Sequence, residues 1–422
     1  MTLPLPEGTR ASRIAVRTFS FSFLLLAAPI KEESPWATLW TFPAILLASM
    51  MIAWAAESAQ FFVAQGFALA ILAWLQTLPE FAVEAVIAWK QQIHLMLANL
   101  TGALRLLVGL GWPLIYFTAA GFYRYRTGQP LKCIRLDREH AVEVIGLAPP
   151  LAYFCWIWWK ANITLFDAAV LTGLYIAYLV VLRRVPPQEH EKIEELEAIP
   201  RFIMTRKSRS RALLIIGLFG GGGVLIYYTA EPFLGSLLAL SGALGVSSFV
   251  FVQWVAPFVS EFPEKVSAFY WARTVDRAPM ALMNMVSSNI NQWTLLAAML
   301  PIVYSLSRGA VSPIPFDDHQ ELEILMTIGQ SLIGMLFLMN MEVTWFEASA
   351  LFGLWAIQFI FSPMTPGPSA MGWVIGHMHW LVTMVYLGWA TLETLRLLLR
   401  WKMPEAIASF VQVWKEHSAR QA

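Results

Sequence analysis

The sequence predicts an all-α polytopic membrane protein with about 11–12 transmembrane helices, arranged as two inverted five-helix repeats that contain broken helices. Three observations predict this class. Hydrophobic residues make up 58% of the 422-residue chain and charged residues only 14%, whereas soluble domains carry about a quarter. Apolar stretches long enough to span a bilayer recur along the chain. A proline–glutamate pair, followed 19 or 20 residues after its glutamate by an asparagine, occurs once in each half.

Runs of roughly 20 mostly apolar residues mark the expected membrane spans. The runs are 14–30, 37–56, 60–89, 93–119, 141–159, 163–182, 212–231, 234–272, 279–306, 321–341, 343–361 and 368–396. Two of them, 60–89 and 234–272, are too long for one straight helix, and each holds an internal proline, Pro79 or Pro263. Because proline interrupts helical hydrogen bonding, we expect a broken helix in each of these two runs.

The polar stretches between the runs indicate the orientation and the domains. With a cytoplasmic N-terminus, 23 of the 29 Lys and Arg residues lie on the cytoplasmic side, as the positive-inside rule predicts. We therefore expect a multi-pass protein of a cell membrane, a bacterial inner membrane, with both termini in the cytoplasm; the sequence leaves the oligomeric state open. The expected regions are an N-terminal segment with an extra helix (1–36), a first repeat half (37–182), a cytoplasmic loop (183–211), a second repeat half (212–361), and an extra helix with a cytoplasmic tail (362–422).

Two glutamates stand in the apolar stretch TLPEFAVEAVIAWK, residues 77–90. Glu80 directly follows Pro79, and Glu84 lies one helical turn further along the same face. A carboxylate inside a membrane is costly, and it usually faces a cavity and a partner. We therefore expect a cation, or protons, to compensate these charges.

The second half of the chain repeats this pattern. Glu264 lies 184 residues after Glu80; Asn99 follows Glu80 by 19 residues and Asn284 follows Glu264 by 20. The span order makes the helix with Glu80 run outward and the helix with Glu264 run inward. Inverted repeats with interrupted helices at corresponding positions are typical of secondary transporters, whose substrate site lies between the repeats.

Glu80 and Glu264 are the predicted metal ligands of this site. Hard cations such as Ca²⁺ take about six to eight oxygen ligands. Neutral oxygens are offered by Asn99, Asn284, Ser260, Ser288 and Asn289, further carboxylates by Glu84 and Glu261, and internal counter-charges by Arg105 and Lys265.

The motifs around these residues resemble the two alpha-repeats of the cation/calcium exchanger superfamily, which includes sodium/calcium exchangers and calcium/proton antiporters. The matching segments are QTLPE (76–80) and ANLTG (98–102) in the first half, and SEFPE (260–264) and NMVSSN (284–289) in the second. The resemblance implies a secondary active cation antiporter that works by alternating access, with calcium exchanged for sodium or protons. It implies transported cations (Ca²⁺, Na⁺ or H⁺) rather than a cofactor, and a lipid bilayer around the chain.

The first repeat departs from the family pattern. Ala103, Leu104 and Leu107 stand where the family has polar residues, and Gln292 occupies the last of these positions in the second repeat. The resemblance therefore implies fewer ligands from the first half. It leaves open proton-coupled exchange of another cation.

A non-transporting membrane scaffold or sensor is the alternative from another class, with Arg105 and Lys265 permanently neutralising the glutamates. We expect no enzyme, because the sequence shows no nucleophile–base pattern and no zinc-ligand spacing. The net charge of +1 argues against nucleic acid, and no nucleotide-binding motif is present. His377 and His379 are two residues apart and point to different helix faces, so we expect ordinary core or interface histidines.

Overall fold

The computed structural model describes residues 34–62, 68–183, 193, 196–399 and 403–421. The predicted span 14–30 and part of the predicted loop 183–211 (residues 184–192 and 194–195) lie outside the described residues. Within them the chain is mostly helical, and its short strands join loops rather than forming a layer.

The first half contains five transmembrane segments built from eight described helices. They are α1 (Thr38–Ala59), α2 (Ala68–Gln76), α3 (Leu78–Trp89), α4 (Ile93–Leu106), α5 (Trp112–Thr127), α6 (Ala141–Gly146), α7 (Ala148–Trp159) and α8 (Leu165–Arg183). Short 3-10 turns cover Pro35–Ala37, Gln60–Phe62 and Arg138–His140. A π-helix, Leu107–Gly111, joins α4 to α5 without a break in the span.

The rest of the described chain repeats this order and adds further helices. Its helices are α9 (Ala198–Met204), α10 (Ser208–Leu244), α11 (Ser248–Ser260), α12 (Phe262–Ala272), α13 (Ala278–Asn291), α14 (Ala297–Arg308), α15 (Asp318–Leu338), α16 (Trp345–Phe361), α17 (Ala370–Leu399) and α18 (Glu405–Gln421). A second π-helix, Gln292–Leu296, joins α13 to α14 at the position that corresponds to the first one. Seven helical stretches of the described chain are long and apolar enough to cross a membrane. The broken spans α2–α3 and α11–α12 are built from shorter pieces.

The predicted boundary between the runs 212–231 and 234–272 is wrong. A single 37-residue helix, α10, passes through Pro232 and ends at Leu244; the residue that caps it, Gly245, has a φ of 67°, the left-handed conformation that terminates helices. Proline inside a membrane helix is tolerated where neighbouring groups satisfy the freed backbone, so Pro232 does not end the helix. The broken span of the second half therefore begins later, at α11.

Two short strand pairs fix which loops share a side of the membrane. Strand β1 (Cys133–Arg135) pairs antiparallel with β4 (Glu342–Thr344), and β2 (Asn162–Ile163) pairs antiparallel with β3 (Ile314–Pro315). The first pair joins loops that the span order places on the Lys- and Arg-rich side, and the second joins loops that it places on the other side. We call these sides the basic face and the opposite face.

The two halves interlock through equivalent helix pairs. The long helices α1 and α10 pack along each other, α4 packs on α11, and α13 packs on α2 in the corresponding way. The α4–α11 contact is close enough that a Cβ added at Gly102 would lie 1.8 Å from the carbonyl oxygen of Gln253. The helices that carry the predicted site residues therefore meet at the centre of the molecule, each contacting the other half.

Candidate cation-binding site

Both broken spans place a glutamate in the first turn of the helix that restarts. Thr77 separates α2 from α3, with Pro79 and Glu80 following at once. Glu261 separates α11 from α12 in the same way, with Pro263 and Glu264 following. Since the N-terminus of a helix carries partial positive charge, a carboxylate in the first turn is stabilised there. The breaks predicted from the two prolines are confirmed.

Glu80 receives hydrogen bonds from both halves of the chain. Asn99 on α4 donates through Nδ2 to one oxygen of Glu80, and Ser260 on α11 donates through its hydroxyl to the other. The same Asn99 nitrogen also donates to Glu84. Glu80 and Glu84 are fully buried. Asn99 therefore holds two buried carboxylates together, one turn apart.

Glu264 lies in the corresponding environment of the second half. The Ser288 hydroxyl on α13 donates to Glu264 Oε1. Glu261 is bound by Lys265 Nζ at 2.8 Å and by Gln292 Nε2 at 2.5 Å. Ser260, whose hydroxyl donates to Glu80, directly precedes Glu261 in the chain, and Glu264 follows three residues after Glu261. The structure thus brings the predicted acids of both repeats into one buried cluster.

Asparagines of α13 reach across to the first half. Asn284 Nδ2 donates to Gln76 Oε1 at 3.1 Å, and Asn291 Nδ2 donates to Thr77 Oγ1 at 2.5 Å, next to the first helix break. Asn289 Nδ2 lies 3.5 Å from the backbone carbonyl oxygen of a residue on α4, so it contacts neither glutamate as a donor. These contacts tie the second motif of one repeat to the first motif of the other.

The two basic residues within the membrane spans, Arg105 and Lys265, form ion pairs with acids other than Glu80 and Glu264. Arg105 forms a buried ion pair with Glu323 on α15, and Lys265 pairs with Glu261. Among the residues that the structure describes, no Lys or Arg nitrogen lies within ion-pair distance of Glu80, Glu84 or Glu264. The locked arrangement expected of a scaffold is therefore not the one that these side chains adopt.

The cluster presents several buried oxygens that accept no hydrogen bond. Within the described part of the chain these are Glu84 Oε1, Asn99 Oδ1, Glu264 Oε2, Asn284 Oδ1, Asn289 Oδ1, Asn291 Oδ1 and Gln292 Oε1. A buried polar atom left unsatisfied costs about 1–3 kcal/mol. Carboxylate and amide oxygens are the ligands that hard cations prefer, so this set fits a Ca²⁺-sized ion together with protons.

Sequence reasoning missed Gln76, Thr77 and Asn291 as site residues. Asn284, Ser288 and Asn291 lie at positions i, i+4 and i+7 of α13, which places them on one helix face. That spacing is the signal that would have identified Asn291. In the first repeat the corresponding positions are apolar, so the polar face of α4 ends at its single asparagine.

The family comparison agrees with this arrangement. The profile described as "Sodium/calcium exchanger protein" matches residues 34–183 and 214–364, which is more than half of the chain. No curated protein sequence matches the chain significantly.

Solved structures of exchangers share the fold. The H⁺/Ca²⁺ exchanger CAX is 31% identical, with a TM-score of 0.83 over 98% of this chain and 98% of that chain. YfkE is 12% identical, with a TM-score of 0.55 over 81% of this chain and 99% of that one. The sodium-calcium exchanger NCX_Mj is 18% identical, with a TM-score of 0.52 over 77% and 96%. The latter two show the fold alone.

The chain belongs to the sodium/calcium exchanger family, within the cation/calcium exchanger superfamily, and is therefore a membrane transporter rather than an enzyme.

Proposed function

We propose that this antiporter exchanges Ca²⁺ for protons, with Glu80 and Glu264 as its central ligands. The observation that carries the proposal is the pair itself: two buried glutamates at equivalent positions of inverted repeats. Each is bound by a hydroxyl group, and neither forms an ion pair with a Lys or Arg side chain among the described residues. Buried carboxylates without a basic partner require a cation or a proton, which are the two species that an H⁺/Ca²⁺ exchanger moves.

Neutral groups complete the proposed site. Ser260 and Ser288 already lie on the carboxylate oxygens of Glu80 and Glu264, so a cation held there would also contact their hydroxyl groups. Asn99 and Asn284 offer amide oxygens that accept no hydrogen bond from the described residues. We assign Glu84, Glu261 and Asn289 to the periphery of the site, Lys265 to Glu261 as its counter-charge, and Arg105 to Glu323 instead.

Two observations favour protons as the coupling ion. CAX, an H⁺/Ca²⁺ exchanger, matches this chain over nearly its whole length. The first repeat also has Ala103 and Leu104 where exchangers carry polar side chains. A proton needs a single carboxylate oxygen, whereas a sodium ion needs a shell of oxygens, so the loss of neutral ligands weakens sodium binding more than proton binding.

The contacts between the repeats support alternating access. Thr77 and Gln76 are held by asparagines of α13, and Ser260 is bound to Glu80, so each helix break is tied to the other repeat. When one repeat rocks against the other, these helix breaks become accessible from one side of the membrane or from the other. We propose that Glu80 and Glu264 carry Ca²⁺ in one direction and protons in the other.

The proposed setting is a bacterial inner membrane with the basic face in the cytoplasm, since Lys- and Arg-rich loops stay on that side. The partners are inorganic cations and the lipid bilayer. The division of the chain at 37–182 and 212–361 into two repeat halves belongs to the same proposal.

Uptake of calcium-45 by proteoliposomes tests the function. The purified chain is reconstituted, and uptake is followed under an imposed proton gradient and, separately, under an imposed sodium gradient. We expect uptake under the proton gradient that Glu80→Gln and Glu264→Gln each abolish. Glu231→Gln is the matched control, because Glu231 is a half-exposed acid that pairs with Lys90 at the surface.

Each outcome has a definite meaning. Uptake driven only by sodium would refute proton coupling and keep calcium exchange. No calcium uptake under either gradient, from protein that melts cooperatively, would refute calcium exchange. Uptake of another divalent ion under the proton gradient would then identify the exchanger of a different cation.

A further inference from the structure

A second group of ligand atoms lies apart from the glutamate cluster, near the opposite face. His319 and Glu323 stand one turn apart at the start of α15, and His379 reaches them from α17. One ligand atom from each of the three residues lies within 4.8 Å of the other two. Glu323 is buried, His319 is exposed, and the side chain of His379 is 22% exposed. The group is thus anchored inside the protein and open to solvent on one side.

A cation shared by the atoms in this group would satisfy the way in which they face each other. Nδ1 of His379 contacts Oε1 of Glu323, and among the described residues neither atom has another hydrogen-bond partner. An imidazole nitrogen without a proton and a carboxylate oxygen both present lone pairs, so their contact is repulsive unless a proton or a metal ion lies between them. A single proton would satisfy this contact but would leave no role for His319.

The position of His319 favours a bound metal ion over a single shared proton. The ring centroids of His319 and His379 are 5.8 Å apart and the rings are inclined by 37°, an arrangement in which both rings can approach one ion. Two imidazoles and one carboxylate, with one side open to water, are a ligand set of zinc sites. Imidazole nitrogens suit zinc and its first-row neighbours, whereas Ca²⁺ takes oxygen ligands. The group therefore differs in chemistry from the glutamate cluster.

Two side chains donate hydrogen bonds to the other carboxylate oxygen of Glu323, Oε2. Arg105 Nη2 and Gln253 Nε2 both donate to Oε2, the latter at 2.7 Å. Such hydrogen bonds keep a ligating carboxylate ionised and fix its orientation. The positive charge of Arg105 also repels a cation bound at Oε1 of Glu323, which weakens metal binding. The arrangement therefore suits reversible metal binding better than a permanent structural metal.

We propose that His319, Glu323 and His379 bind a divalent transition metal of the zinc class at the opposite face, and that the bound metal restrains exchange. We expect the bound metal to restrain exchange because Glu323 is hydrogen-bonded to helices of the transport site. Its partners Arg105 and Gln253 lie on α4 and α11, the helices that carry Asn99 and Ser260 to Glu80. A metal that joins α15 to α17 through Glu323 thereby holds both helices of the transport site in one arrangement. The restraint rests on the proposed exchange function, whereas the metal site itself does not.

Cobalt binding to the purified full chain tests the site independently of transport. Titration with CoCl₂ in calcium-free buffer is followed by visible absorption, since four-coordinate Co²⁺ absorbs far more strongly than hydrated Co²⁺; ZnCl₂ then displaces it. We expect saturable binding that His319→Ala and His379→Ala each weaken by more than about 10-fold. His377→Ala is the matched control, because His377 lies two residues along α17 and stacks on Trp373 instead.

The outcomes separate the two parts of the proposal. Absence of strong cobalt absorption in the wild-type chain, or equal binding by the His319 and His379 variants, would overturn the metal site. If binding follows the histidines, calcium-45 uptake is measured with rising ZnCl₂. We expect inhibition in the wild type and in His377→Ala, and its loss in His379→Ala; uptake that zinc leaves unchanged would overturn the restraint. If no preparation shows any uptake, the exchange proposal has failed while the histidine-dependent cobalt site stands.

Discussion

The buried ion pair between Arg105 and Glu323 should be sensitive to loss of either partner. Both side chains are almost completely buried, at 0% and 1% exposure. Arg105 also donates to Gln358 at 3.1 Å and lies over the ring of Trp254 at 5.0 Å. Arg105→Met keeps much of the side-chain volume but removes the arginine charge that pairs with the Glu323 carboxylate. We expect this substitution to destabilise the fold strongly.

The magnitude follows from burial. Removing one partner of a buried ion pair costs about 3–5 kcal/mol, because the remaining charge stays uncompensated, whereas replacing both partners is often close to neutral. The double variant Arg105→Met with Glu323→Gln should therefore recover most of the loss. An exposed pair is worth at most about 1 kcal/mol. Lys90→Met breaks such a pair, with side chains 39% and 55% exposed, and is the control.

The assay is unfolding of the four proteins in mild detergent, followed by tryptophan fluorescence. We expect the wild type, Lys90→Met and the double variant to unfold at similar denaturant concentrations, and Arg105→Met to unfold much earlier. Equal stability of Arg105→Met and the wild type would refute the reasoning. So would a double variant that is as unstable as the single one, because the loss would then come from packing rather than from charge.

Two further predictions concern helix packing and pH. Gly102→Ala places a methyl group against the backbone of Gln253 and should cost about 1–3 kcal/mol by overpacking. Gly121→Ala, where nothing lies within 4 Å, should not lower the unfolding midpoint, because alanine favours a helix over glycine. Equal losses of stability in the two variants would contradict the close approach of α4 and α11. Burial raises the pKa of Glu197, which precedes α9, above its ordinary value of 4.5, although Trp54 donates a hydrogen bond to it. The folded state then holds this proton more tightly, so its contribution to stability is present below pH 4.5 and is lost as the pH rises through the folded-state pKa. After correction for the intrinsic pH dependence of amide exchange, the protection of α9 amides should fall over that interval in the wild type but not in Glu197→Gln, and equal changes in protection in both proteins would contradict the assignment.

The parts of the fold that follow local rules were predictable from the sequence. Pro79 and Pro263 break their helices because proline removes a backbone donor wherever it occurs. The boundary between the runs 212–231 and 234–272 was wrong, since Pro232 lies inside α10 and the packed neighbours of a helix decide whether a proline is tolerated. The partner of Arg105 was beyond prediction: Glu323 is 218 residues away, and no local spacing connects them.

In the candidate site, too, local spacing predicted some residues, whereas contacts between distant parts of the chain could not be predicted. The prolines, glutamates and Asn99 repeat at recognisable spacings, so their convergence was expected. The contact between Asn291 and Thr77 joins residues 214 positions apart and depends on how α13 crosses the first helix break. His379 was expected to be an ordinary histidine because its neighbour His377 points elsewhere, whereas the residues that it does meet belong to another helix.

Proton release on calcium binding tests the central claim most directly. Calcium is titrated into the purified chain in calorimetry buffers with different ionisation enthalpies, and the number of protons released per bound Ca²⁺ is obtained from the differences in heat. If Ca²⁺ and protons share Glu80 and Glu264, calcium binding must release protons, and Glu80→Gln and Glu264→Gln must each reduce both the binding and the release. Calcium binding without proton release, or release that neither substitution changes, would contradict the account.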